Sequence, residues 1–224
     1  MLDFIERNKD EKFFAYYPMV LVHAPFVPTP DSEHWSDVES RTMEDTAFFC
    51  DMVKYTDKII GRIEEKLEET GIRENTILIF TGDNGTSRRV VSKTRNRFIQ
   101  GAKGKTINDG VHVPLLVSWP EGIRRASIFN GLIEFSDFFA TFADLVGTNV
   151  KSDGHSFLPL LKGQRFTARQ SAKVHYDPQW GESVSRYRNS FVQTMEYKLY
   201  QDGSFYNLEE DILEEHHLKP EMMK

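Results

Sequence analysis

The run Thr76-Ile77-Leu78-Ile79-Phe80 passes directly into Thr81-Gly82-Asp83-Asn84-Gly85. A short apolar run closed by glycine and asparagine predicts a buried strand rather than a helix segment. The turn then sets a carboxylate and an amide oxygen side by side at the strand's end, where open α/β sheets hold their ligands. Two hard oxygen donors on one turn suit calcium or magnesium. The same residues also build ordinary turns, because Asp, Asn and Gly tolerate positive φ and bond their own backbone. The flanking segments decide between the two.

The chain has 224 residues and a net charge of −6, enough length for one large domain or a domain with an appendage. There is no general basic footprint for nucleic acid. No apolar run is long enough to span a bilayer, so neither nucleic acid nor membrane is an expected partner. The single cysteine, Cys50, excludes an intrachain disulfide. It lies on what reads as an apolar helix face, where an inert buried thiol is expected. The N-terminus lacks the basic and apolar regions of a secretory signal.

Residues 1–12 read as the end of a helix and a charged loop. Phe13 to Val22 predicts a buried strand. Pro25, Pro28 and Pro30 then force His23–Ser32 into a loop. From about Arg41 to Thr70, Phe48, Met52, Tyr55, Ile59, Ile63 and Leu67 recur at helical spacing, and Gly71 is a stop. Residues 86–112 carry many charges and little periodicity, and read as a long, functional or disordered loop. Val113–Trp119 predicts a strand, and Glu134–Val146 a helix ended by Gly147. Asp153–Leu161 is turn-rich. Ala172–Tyr176, Asn189–Thr194, Tyr197–Gln201 and Ser204–Leu208 predict a small antiparallel sheet, with a hairpin at Asp202-Gly203. The predicted organisation is an α/β domain over 1–164 and a small antiparallel α+β subdomain over 165–224.

Five blocks of the chain, taken in order, resemble the second half of a sulfatase, a family of the alkaline-phosphatase-like superfamily. They are Pro18–Pro30 with its strand-to-loop histidine, the helix containing Tyr55–Arg62, and the strand and turn Asn75–Gly85. Lys103-Gly104-Lys105-Thr106 through Gly110–Leu115 is the fourth, and the C-terminal landmarks Asp153–Leu161 and Ser204–Glu209 together make the fifth. The resemblance implies a mixed sheet with helices on both faces and hydrolysis of a sulfate ester. Asp83 and Asn84 match two ligands of the family's divalent cation, usually calcium, with magnesium as the alternative. Lys103 matches the lysine that contacts the sulfate oxygens, by its distance from Pro114, and Lys105 is the near alternative. His23 matches the histidine beside the sulfate. Asn108-Asp109 stands where many members have Glu-Gly, so this loop departs from the common pattern. The four site residues are expected to converge at strand ends on one side of the sheet.

The chemistry is sound on its own terms. A cation and a lysine can hold non-bridging sulfate oxygens, and a histidine can protonate the leaving oxygen as charge builds there. Bland alternatives stand beside these roles: His23 bonding a backbone carbonyl, and Lys103 as one solvated lysine among several. His112, His155 and the Glu214-Glu215-His216-His217 cluster read as surface or structural, the cluster in a charged helical tail. Gly104-Lys105-Thr106 is not a phosphate loop, since Ile99 stands where the motif requires glycine and no strand immediately precedes it.

The family nucleophile is a Cys or Ser in a Cys/Ser-x-Pro/Ala-x-Arg stretch, converted to formylglycine. No residue here has that context, since Cys50 is followed by Asp51-Met52-Val53-Lys54. The adjacent aspartates that complete the metal site are also absent. The chain therefore reads as the C-terminal part of a longer or split coding sequence, with the missing N-terminal half of the domain as partner. The substrate is expected to be a sulfated small molecule or carbohydrate. The resemblance suggests a periplasmic, lysosomal or extracellular setting for the full-length protein. A phosphoryl hydrolase of the same superfamily, or a non-catalytic truncated remnant, are the competing readings.

Overall fold

The computed structural model describes residues 1–177 and 189–218, and these divide into two compact units. The first holds Met1–Gly104 and His112–Glu121; the second holds Lys105–Val111 and the residues from Gly122 onward. The expected boundary at 164/165 falls inside the second unit.

In the first unit, helix α1 (Leu2–Asn8) packs on the long helix α2 (Phe48–Glu69), burying Ile5 and Leu67. Lys66 of α2 reaches Glu6 at 2.6 Å across that contact. α2 starts at Phe48, the first of the periodic residues, rather than near Arg41, and a 3-10 turn occupies Ser40–Thr42. It ends as expected: Gly71 takes φ +75 and its N–H donates to the Glu68 carbonyl. Phe48 and Met52 from its first turns join Phe26 and Val90 in a core cluster, with Leu21, Val22, Ala24 and Phe49 packed against it. Cys50 is turned away from that face and is exposed, which corrects the expectation of a buried thiol.

Strand β1 (Leu78–Thr81) pairs antiparallel with β4 (Leu115–Ser118), Leu78 opposite Ser118 and Thr81 opposite Leu115. The buried Arg73 ties this pair to α2. Its guanidinium donates twice to Glu64 (3.0 and 2.7 Å), to the Thr76 carbonyl and to Ser118. Between these strands, Val91–Lys93 (β2) and Phe98–Gln100 (β3) form a hairpin, and Asn108–Val111 is a turn of helix, α3. Parts of the expected loop over 86–112 therefore carry regular structure. Thr94 closes the hairpin by exchanging hydrogen bonds with Arg97, a local device that hydrophobic periodicity does not register.

Phe13–Val22 is the clearest correction. It lies in no ladder among the described residues, and Phe14, Tyr16 and Val20 are 72%, 79% and 81% exposed. Composition supplied the strand signal. A strand also needs a hydrogen-bonding neighbour, and none of the described strands pairs with this segment.

In the second unit, helix α4 (Phe135–Leu145) opens with a capping box between Glu134 and Asp137 and stops before Gly147 at φ +72. Phe138 meets the buried Phe157 edge to face at 5.6 Å, and α5 (Leu158–Leu161) follows. Strands β5 (Ala172–Tyr176), β6 (Asn189–Gln193), β7 (Tyr197–Tyr200) and β8 (Phe205–Asn207) form one antiparallel sheet in sequence order, as expected. Gly203, at φ +91, makes the turn between the last two.

Alternation along β7 puts Lys198 and Tyr200 on the buried face. Lys198 has no solvent exposure; its ammonium lies 3.9 Å from the Phe191 ring centre, 2.8 Å from Glu214, and bonds the Thr106 carbonyl. The Tyr200 hydroxyl bonds Glu214 and lies 3.1 Å from the Thr106 hydroxyl. Burial pushes the Lys198 ammonium below its ordinary pKa, with Glu214 pulling the other way. Burial, reinforced by Glu214, pushes the Tyr200 phenol up. Residues 211–218 contain no helix, which corrects the helical-tail expectation: Asp211 accepts from the Glu215 and His216 N–H groups and turns the chain so that Glu214 points inward. Glu214→Ala should cost about 3–5 kcal/mol in urea unfolding, because it strands a buried cation, whereas Lys198→Met combined with Glu214→Leu should cost far less.

A second buried charge group fixes α4. Asp137 accepts from Arg169 (3.0 and 2.5 Å), from the Glu134 N–H (2.9 Å) and from the His155 N–H (2.7 Å). Burial raises the Asp137 pKa, but hydrogen bonds from Arg169 and the two backbone N–H groups outweigh it and hold the carboxyl below its ordinary value. Its contribution to stability is thus complete above the ordinary aspartate range and is lost as the pH falls through the depressed folded-state value. Urea midpoints followed down the acid range should show this loss, and in Asp137→Asn that part of the decline should vanish.

Candidate functional site

β1 delivers the acidic turn. Thr81 is the last laddered residue, and Gly82 then brings the backbone alongside the Val113 side chain, 3.6 Å from where a β-carbon would stand. Asp83 is exposed and Asn84 half-buried. Neither side chain makes a hydrogen bond or ion pair among the described residues. The turn therefore offers two uncommitted oxygen donors, a donor set that fits a hard cation but fills only part of its shell. Among the described residues no group of three or more His, Cys, Asp or Glu could hold a metal ion.

The β2–β3 hairpin is rooted beside that turn. The Val90 N–H donates to the Ser87 carbonyl (3.0 Å), the Gly101 N–H to the Val90 carbonyl (2.9 Å), and the Lys103 N–H to the Thr86 carbonyl (2.9 Å). Lys103 is thus pinned to a residue two positions beyond Asn84. Lys103 is half-buried, and Lys105 exposed. A β-carbon on Gly101 would stand 2.6 Å from the Thr86 carbonyl oxygen and closer still to that of Ser87, so this close approach demands glycine.

His23 is exposed, and its Nδ1 lies 2.6 Å from the Ala24 carbonyl oxygen. That contact requires the proton on Nδ1, which leaves Nε2 as the outward nitrogen. Val22 and Ala24, on either side of His23, pack on the cluster that contains Val90 from the hairpin root. The backbone carbonyl contact considered in the sequence is therefore present, and it leaves one ring nitrogen available.

Sequence reasoning missed Gly101, Arg73 and the inward Glu214. Gly101 carried the only local signal, an isolated glycine directly after a strand, which marks close backbone approach. Gly101→Ala should destabilise the protein by about 1–3 kcal/mol. Hydrogen exchange should show amide protection lost first over residues 87–103; unchanged protection there would refute the close-packed root.

The fold itself recurs in solved structures. The crystal structure of Ps i-CgsB matches 97% of this chain and 48% of its own with a TM-score of 0.75 at 23% identity. A phosphonate monoester hydrolase from Silicibacter pomeroyi matches 73% of this chain and 34% of its own, with a TM-score of 0.59 at 19% identity. The sulfatase family model covers residues 1–148, and the model for the C-terminal part of N-sulphoglucosamine sulphohydrolase covers residues 103–223. A sulfatase from Formosa agariphila is 30% identical over 240 residues, which is 92% of this chain and 42% of the relative. An N-acetylgalactosamine-6-O-sulfatase from Bacteroides thetaiotaomicron is 27% identical over 180 residues, 75% of this chain and 34% of the relative. The chain belongs to the sulfatase family, and it spans less than half the length of these relatives.

Proposed function

We propose that this chain carries the second half of the active site of a sulfuric ester hydrolase. Asp83 and Asn84 would hold a divalent cation, calcium in preference to magnesium, which when bound supplies positive charge to the sulfate oxygens. Lys103 holds the non-bridging oxygens of the ester. His23, with Nδ1 engaged on the Ala24 carbonyl, donates a proton from Nε2 of its imidazolium form to the leaving oxygen. The observation that supports this reading is the Lys103 N–H bond to the Thr86 carbonyl, two residues beyond Asn84. Lys103, half-buried, is favoured over the exposed Lys105.

The formylglycine nucleophile has no position in this sequence, so the chain alone should not turn over. The complementary part of the fold, carrying the nucleophile and the remaining carboxylates, is the partner it requires. The substrate is a sulfated small molecule or carbohydrate, in keeping with the amino-sugar sulfatase among its relatives. An exported setting follows the family resemblance. Among the described residues no helix is long and apolar enough to cross a membrane.

Purified chain with calcium should leave 4-nitrophenyl sulfate intact and bind calcium with millimolar or weaker affinity, on the order of the weakest protein calcium sites. Supplying a formylglycine-bearing N-terminal half in trans should tighten calcium binding and start turnover. Asp83→Ala or Lys103→Ala should then lower kcat/KM by at least about 100-fold. Turnover by the chain alone would refute the half-site assignment. Failure of the complemented pair to hydrolyse any sulfate ester would favour a non-catalytic remnant.

A further inference from the structure

In a chain of net charge −6, residues 86–105 contain seven Lys or Arg and no Asp or Glu: Arg88, Arg89, Lys93, Arg95, Arg97, Lys103 and Lys105. Arg89 is committed to Glu44 and to the Phe26 ring. Arg88, Lys93 and Arg95 make no ion pair among the described residues. Cations that only keep a protein soluble are usually interspersed with carboxylates; segregation of one sign on one element builds a local field.

The hairpin adds a second, independent feature. Cross-strand register sets Lys93 opposite Phe98, so both project from the same face, and Val91 lies on that face two residues away. Phe98 is 70% exposed and makes no ring or cation contact among the described residues. An exposed aromatic ring beside a cation, with Arg95 at the tip, offers an apolar platform for the face of a sugar ring and charge for its sulfates. The element is also held in place. The Thr94–Arg97 turn closes its tip, and the Gly101 and Lys103 hydrogen bonds fix its root between Asn84 and Lys103.

We infer that the β2–β3 hairpin is a second anionic-sugar subsite, which engages sulfated sugars flanking the one presented to the Asp83–Lys103 site. The natural substrate class is thereby a polysulfated carbohydrate chain rather than a single sulfated sugar. This inference rests on the sulfatase reading of that site. Lys93 and Arg95 pair with flanking sulfates, and Phe98 stacks on the intervening ring. The charge excludes neutral glycans, and the ring distinguishes a sugar chain from a bare polyanion.

The test is binding to the full chain by calorimetry, with short dextran sulfate, unsulfated dextran of equal length, glucose 6-sulfate and a single-stranded oligodeoxynucleotide as probes. Dextran sulfate should bind, weakening steeply with added salt, and each other probe should bind at least about tenfold more weakly. Lys93→Ala/Arg95→Ala/Phe98→Ala should weaken dextran sulfate by on the order of tenfold or more, with an unchanged melting temperature because these positions are exposed. Arg95→Glu alone, at the tip, guards against a folding artefact and should act in the same direction. Lys103→Ala reports separately on the site reading. If only Lys103→Ala weakens dextran sulfate, the hairpin proposal is overturned and the site reading survives. If the hairpin variants weaken it and Lys103→Ala does not, the hairpin's binding of polysulfated chains stands while the assignment of Lys103 to the sulfate fails. No binding of dextran sulfate, or equal binding of the oligodeoxynucleotide, would overturn the proposal.

Discussion

The hydrogen bond from the Lys103 N–H to the Thr86 carbonyl is the constraint on which the candidate site depends. It closes a loop that would otherwise leave Lys103 free to wander far from the acidic turn. The closure is affordable because Gly101 lets two backbone segments approach where no side chain fits, and because Val90 anchors the same root in the core. Positions of charged side chains on exposed turns are ordinarily loose. Here the backbone that carries them is fixed on the lysine side by this bond and on the acidic side by the β1–β4 ladder.

The second unit is organised around buried charge rather than around a large apolar core. Lys198 and Glu214 are both out of water, and such a pair contributes little net stability by itself. Its effect is to specify geometry. The Lys198 ammonium needs its acceptors in place, and one of them is the Thr106 carbonyl, so the segment after Lys105 is held to the β7 strand. Arg169 does the same for the start of α4 through Asp137 and Glu134. In both cases, misplacing one partner leaves a charge uncompensated, which penalises alternative packings.

Most elements were legible in the sequence because local signals agreed with tertiary demands. The α2 face, the Gly71 and Gly147 stops, the span of α4 and the four strands of the C-terminal sheet all follow from periodicity and turn chemistry. The failures have specific causes. Phe13–Val22 has strand composition, but pairing is decided by neighbours that composition does not reveal. The β2–β3 hairpin hid behind charged residues, because its exposed face alternates Val91, Lys93 and Phe98 rather than apolar with polar. Glu214 looked like part of a solvated charge run, and only the inward turn set by Asp211 distinguishes it from Glu215. At the candidate site, Asp83, Asn84 and Lys103 stood out through the family resemblance, whereas Gly101 and the backbone bonds around it concern distances a sequence does not print.

The chain passes from the first unit to the second at Lys105, returns at His112, and leaves again after Glu121. Neither unit is therefore a continuous stretch of polypeptide. During synthesis β1 emerges well before β4, its only partner among the described strands, and must wait with one edge unpaired while residues 105–111 pass by. Those seven residues in turn wait for β7, which emerges much later, to bury Thr106. Contacts between such distant parts of the chain are slow to form, and exposed edges are open to wrong partners meanwhile. No single cut in the chain yields two whole units, so a gene divided anywhere between these segments would give two products that must fold on each other rather than two that fold alone.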